Sequence, residues 1–179
     1  GYPVEICSLT MFGTGVYLVD VADGAGGVTA QHVAHIPASG ADGTGWDLAN
    51  LGDVDGDSID DLVVGAPLAQ GGGEARVVLG ADLAAGGTVS DVLATLTGNT
   101  YLGVDVASLL DVDGDGISEI AAGEGWVGRT EVGVFASTAW LSGGTHDAVN
   151  ALAVIETSST NVDDYFSGHA VGGLDFNGD

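Results

Sequence analysis

The stretch LGDVDGDSIDDLVVGAP, Leu51 to Pro67, sets five acids against an apolar run. Asp53, Asp55, Asp57 and Asp61 fall at positions 1, 3, 5 and 9 of a loop whose position 7 is Ile59. Alternating positions let a tightly curled loop aim several oxygens inward, with the Ile59 carbonyl among them, which suits a hard cation taking six to eight oxygen ligands. Without a counterion such acids would repel by roughly 1 to 4 kcal/mol per close pair. Calcium is the expected ion. Magnesium demands a near-ideal octahedron and gives up water reluctantly, and zinc wants His or Cys, which the loop lacks.

A second copy, LLDVDGDGISEIAAGEG, Leu109 to Gly125, repeats the scheme with Asp111, Asp113, Asp115, the carbonyl of Ile117, and Glu119. Neither loop is an EF-hand, which closes with Glu at position 12 between two helices. Position 12 here is Val64 or Ala122, and both flanks read as strands. Asp and Gly also mark ordinary turns. That explanation suffices for one Asp-Gly pair, but not for two acid-crowded loops in matching positions.

The sequence closes on a partial third copy, LDFNGD, Leu174 to Asp179. Set before the opening GYPVEIC it reads DFNGDGYPVE, which matches the loop through position 8. Val4 then takes position 9 and Glu5 position 10, so either a bulge brings Glu5 to the ion or the ends are not joined directly. The bulge is the preferred reading. It gives a third calcium site of Asp175, Asn177, Asp179, the Tyr2 carbonyl and Glu5, shared across the junction of two copies.

Thirty-two Gly, few helix-favouring stretches and short β-branched runs between Gly/Asp/Ser clusters point to an all-β fold. Asp53 to Asp111 spans 58 positions, Asp111 to Asp175 spans 64, and joining the ends gives 57, so the chain reads as three units. Each has room for four short strands. They are expected at 46–51, 62–66, 74–79 and 92–97 in the first unit, and at 104–109, 120–122, 131–136 and 151–157 in the second. The split unit takes 170–174, 4–9, 15–21 and 29–36. The boundaries follow: 1–45 holds the last three strands of the split unit, 46–101 and 102–164 are complete, and 165–179 supplies its first strand and the start of its loop. A lone four-stranded sheet leaves two apolar faces bare, so the units must stack like propeller blades. Three are too few for a ring of the usual four to eight, and neighbouring copies are expected to supply more.

Twenty-six acids face two basic residues, a net charge of -24 that repels nucleic acid and anionic lipid. No apolar run reaches the roughly 18 to 20 residues that span a bilayer, and no export signal is present, so a mature, soluble segment is expected, with no membrane insertion. Cys7 is the single cysteine. It is read as a buried thiol, with an intermolecular disulfide as the alternative.

The first loop and the DLVVGAP that follows resemble the FG-GAP repeat of integrin alpha-subunit propellers and their bacterial and archaeal relatives. Gly65, Ala66 and Pro67 match outright; the second unit has AAGEG and the third CSLTM, while the FG element survives as YLG (Tyr101 to Gly103) and FSG (Phe166 to Gly168). Ser58 replaces the usual loop glycine, which is expected to strain the turn. The resemblance implies β-propeller blades in which structural calcium ions pin the hairpin between the first two strands.

The leading expectation is an extracellular, calcium-stabilised structural module that assembles with copies of itself, head to tail, into a tandem-repeat fibre or filament. The alternative is an adhesion propeller of two copies and six blades, binding a protein or glycan ligand through a surface that includes Trp126, Trp140 and Tyr165. Catalysis is not expected. His32 and His35, three apart on one expected strand, make a poor metal pair. His146 and His169 have no recognisable nucleophile or carboxylate partner in sequence.

Overall fold

A computed structural model describes residues 5–7, 15–24, 27–125 and 131–156. Most strands run four to six residues and are bounded by Gly, Asp and Ser turns. Glu5–Cys7 (β1), Val16–Gly24 (β2) and Gly27–Ile36 (β3) form an antiparallel meander. Leu48–Gly52 (β4), Asp61–Ala66 (β5) and Glu74–Val78 (β6) form a second. A helical turn, Gly80–Ala85 (α1), and a two-residue strand, Gly87–Thr88 (β7), lead to Ala94–Thr97 (β8), which returns antiparallel to β6.

The third group repeats this order. Val106–Leu109 (β9), Glu119–Glu124 (β10) and Glu131–Phe135 (β11) are antiparallel. Ser137–Trp140 (α2) and Gly144–Asp147 (β12) follow, then a single 3-10 turn at Ala148–Asn150 and Ala153–Glu156 (β13), which pairs with β11.

Stacking is written into β5, whose six residues are all buried. Successive side chains of a strand point to opposite faces. Leu62 and Val64 accordingly join Val16, Leu18, Ala34 and Ile36 of the first sheet. Val63 turns the other way, into a core with Val106, Ile120, Ala122 and Phe135 of the third. The middle sheet is therefore covered on both faces. Trp140 and Phe135 are the largest side chains buried in that second core, and the indole Nε1 donates to the Phe135 carbonyl at 3.3 Å.

Two features depart from four-stranded antiparallel units. The short strands β7 and β12 do not pair within their own units; β7 lies parallel to β3, and β12 lies parallel to β8. The described sheets therefore run β1-β2-β3-β7, β4-β5-β6-β8-β12 and β9-β10-β11-β13, with four, five and four strands. The helical turns that deliver the borrowed strands, six and four residues long, are too brief to show a 3.6-residue period in sequence. The expected strand at 170–174 lies outside the described residues. No helix among those described is long and apolar enough to cross a membrane.

Candidate functional site

The acid-rich loops join the first two strands of each complete unit: β4 to β5, and β9 to β10. Each curls by folding its aspartates back onto its own backbone. Asp53 accepts the N–H groups of Gly56 at 2.7 Å and Ser58 at 2.8 Å; Asp55 accepts from Asp57 at 3.0 Å, and Asp57 from Ile59 at 2.8 Å. The second loop repeats these bonds. Asp111 accepts from Gly114 at 2.6 Å and Gly116 at 2.8 Å, Asp113 from Asp115 at 3.2 Å, and Asp115 from Ile117 at 2.9 Å.

This curling brings one carboxylate oxygen from each of Asp53, Asp55 and Asp57 within 4.8 Å of the others, and the same holds for Asp111, Asp113 and Asp115. All six residues are exposed. Both donor sets are purely oxygen and purely anionic, a composition that fits a hard divalent cation and not a soft one.

Position 9 is occupied differently. Asp61 is fully buried, and its two oxygens accept Val54 N–H at 2.9 Å and Gly80 N–H at 2.7 Å. Burial pushes its carboxyl above the usual carboxylate range, aided by the charges of Asp55 and Asp57 and opposed by the two N–H groups. Glu119, also fully buried, accepts Val112 N–H at 2.7 Å and Ser137 N–H at 3.4 Å. In both units this acid ties the loop to the first residue of the following helical turn. Asp115 adds a hydrogen bond from the Ser137 hydroxyl. Sequence reasoning missed these tethers because Gly80 and Ser137 belong to turns that carry no periodic signal.

The Ile59 and Ile117 carbonyls belong to the same loops, and their N–H groups are engaged as above. Glu5 opens β1, where only the backbone is described. Tyr2, Asp175, Asn177 and Asp179 lie outside the described residues, so the shared third site does too. Ser58 has the strained backbone expected of it, φ +72°, where the second loop has Gly116 at φ +92°.

Two glycine elements frame each loop. Gly45 N–H donates to the Gly65 carbonyl at 2.9 Å, and Gly65 N–H to the Asp47 carbonyl at 2.9 Å. Fifty-eight positions on, Gly103 N–H donates to the Gly123 carbonyl at 3.0 Å, and Gly123 N–H to the Asp105 carbonyl at 2.9 Å. Gly65 also packs against the next unit, since a Cβ there would lie 2.1 Å from the Gly103 carbonyl oxygen. Glu124 stands where the first unit has Ala66. Its carboxylate accepts the N–H groups of Asn99 and of Thr100, the latter at 2.8 Å, in the connection between the two units.

Other candidates fall away from this site. Trp140 is buried and unavailable to a binding surface, while Trp126 and Tyr165 lie outside the described residues. The His35 ring stacks on Tyr17 with centroids 4.3 Å apart, and His146 Nε2 lies 3.0 Å from the Gly143 carbonyl oxygen. The side chains of His32 and Cys7, and all of His169, are not among those described.

The described chain is thus a β-rich repeat protein whose consecutive units carry the same acidic loop between the same two strands. Residues 44–101 match the FG-GAP repeat family, the stretch that holds the first loop and its Gly65-Ala66-Pro67. No curated protein matches the chain.

Proposed function

We propose that the chain is a calcium-stabilised structural module of β-propeller type that works outside the cell, joined to further units of its kind in a head-to-tail array. The observation that carries this reading is the duplication of the oxygen cage. Asp53, Asp55 and Asp57 would hold one calcium ion, and Asp111, Asp113 and Asp115 another, at the same place in consecutive units. A bound ion supplies positive charge that cancels carboxylate repulsion. The loops' own hydrogen bonds hold the acids together while they wait for it. Exposed sites of this kind suit dissociation constants of about 10⁻⁴ to 10⁻³ M, which match calcium outside cells rather than in cytosol. We assign the module no catalytic role.

The test is thermal unfolding in calcium and in chelator. At free calcium ten times the dissociation constant each site adds about 1.4 kcal/mol, so two sites raise the melting temperature by roughly 6 to 10 °C. An identical melt in chelator would remove calcium from the proposal. Electron microscopy of the assembled protein separates a fibre from a ring.

A further inference from the structure

The helical turns and their borrowed strands are the same device used twice. In each, a bulky apolar residue, Leu83 or Trp140, is buried between two sheets, and its carbonyl accepts the N–H of a glycine three residues on, Gly86 at 3.1 Å or Gly143 at 2.9 Å. A second glycine and a threonine follow, Gly87-Thr88 or Gly144-Thr145. All four glycines have positive φ, between 78° and 94°. The first also approaches the preceding sheet closely: a Cβ on Gly86 would meet the Val33 carbonyl oxygen at 3.0 Å, and one on Gly143 the Leu93 carbonyl oxygen at 3.1 Å. The glycine and threonine then pair in parallel with that sheet's last antiparallel strand, Gly87 with Ala34 and Thr88 with His35, Gly144 with Ala94 and Thr145 with Thr95.

The third sheet offers the matching edge. Register places Ala153, Val154 and Ile155 of β13 where β8 has Ala94, Thr95 and Leu96, because Val132 lies opposite Ile155 as Ala75 lies opposite Leu96. β13 ends its sheet with no further strand among the described residues. What is covered in the middle sheet is bare here. Leu96 is 0% exposed and its counterpart Ile155 51%; Val54 is 5% exposed and its counterpart Val112 57%. Leu152, Val154 and Val149 add 56%, 46% and 79% on the same strand and the turn before it.

We propose that the β13 edge is the acceptor for the corresponding segment of a following repeat: a short helical turn bearing a bulky apolar side chain, then Gly-Gly-Thr. Its glycine pairs with Ala153 and its threonine with Val154, in parallel, while the apolar side chain covers Ile155. The occupant is defined by continuity with the two joints already present, which share backbone conformation, register and buried anchor. The meander β1-β2-β3 of a second copy of this chain does not fit it, since β2 ends at Gly24 and β3 begins at Gly27, a spacing too short for a helical turn followed by Gly-Gly-Thr. The inference rests on the modular reading above, but not on calcium.

A fluorescein-labelled peptide of residues 137–147, added to the full chain in calcium, tests it by anisotropy. Saturable binding is expected, weakened about tenfold or more when Gly143 and Gly144 of the peptide are replaced by valine or Trp140 by serine. In the chain, Ile155→Lys, at an exposed position, is expected to weaken binding similarly, and Val154→Pro to abolish it. Binding indifferent to the peptide's glycines, or none that saturates, overturns the proposal. So does a dimer of the chain through β13 that the peptide fails to disrupt. A chain that melts higher in calcium but takes no peptide refutes this inference alone; one that takes the peptide but melts identically in chelator refutes only the calcium reading.

Discussion

Asp61 Oδ1 accepts the Gly80 N–H at 2.7 Å across nineteen residues, while its other oxygen holds Val54 of the loop at 2.9 Å. One buried carboxylate therefore fixes both the mouth of the acidic loop and the start of the turn that reaches the neighbouring sheet. Replacing it with alanine strands two buried N–H donors, each worth about 1 to 3 kcal/mol unsatisfied. Asp61→Ala is expected to lower unfolding stability by roughly 2 to 5 kcal/mol in urea titrations in chelator, with Asp61→Asn losing less because it retains an acceptor.

The exposed triads should respond in the opposite sense. Asp55→Asn removes charge but keeps an acceptor for Asp57 N–H. In chelator it is expected to match or slightly exceed the parent in stability, by roughly 0.5 kcal/mol. In calcium it should lose most of the roughly 1.4 kcal/mol that the proposed ion would contribute there. Paired melts with and without calcium read both signs.

Ser58 holds a left-handed conformation that its counterpart Gly116 adopts without a side chain. Ser58→Gly is therefore expected to stabilise by about 0.5 to 1 kcal/mol, and Gly116→Ser to cost a similar amount. Chemical unfolding of both variants at fixed calcium gives the comparison.

Gly65 and Gly103 touch backbone to backbone where the two complete units meet. A methyl group on Gly65 would meet the Gly103 carbonyl oxygen, and one on Gly103 would meet the Glu74 carbonyl oxygen at 2.2 Å with φ at +89° besides. Neither obstacle is a flexible side chain. Each alanine variant should lose about 3 kcal/mol or more, visible as a lowered urea midpoint.

Asp42 gives a pH dependence. Burial pushes its carboxyl up, but Thr44 through its N–H and hydroxyl, the Ser39 N–H and the Arg76 guanidinium outweigh it, leaving the group below its ordinary value. A depressed carboxylate contributes stability that is complete above its unfolded value and lost as pH falls through the folded one. Asp42→Asn should flatten the acid limb of the stability curve. Asp61, raised by burial, has the opposite sign: in chelator its protonation favours the folded state as pH falls. Acid titrations of the two variants should therefore diverge from the parent in opposite directions.

The convergence of the acids was legible because their spacing is local: three aspartates at alternate positions come together once the backbone curls, whatever surrounds them. The long strands were legible for a similar reason. β5 and β6 were expected at 62–66 and 74–79 and run Asp61–Ala66 and Glu74–Val78. The borrowed strands were not, since Gly87-Thr88 has no alternation and its partner Ala34 lies more than fifty positions away. Asp61 and Glu119 were readable as acids at position 9, but their bonds to Gly80 and Ser137 depend on where a distant turn lands.

Because β7 and β12 hem the sheet before their own, the unit that repeats in sequence is not the unit that comes apart in space. Cutting out residues 102–164 would take with it the hem of the middle sheet, and unfolding one wall exposes the selvedge of the next. Neighbouring sheets laced this way hold one another against fraying, and in unfolding they should yield together rather than singly.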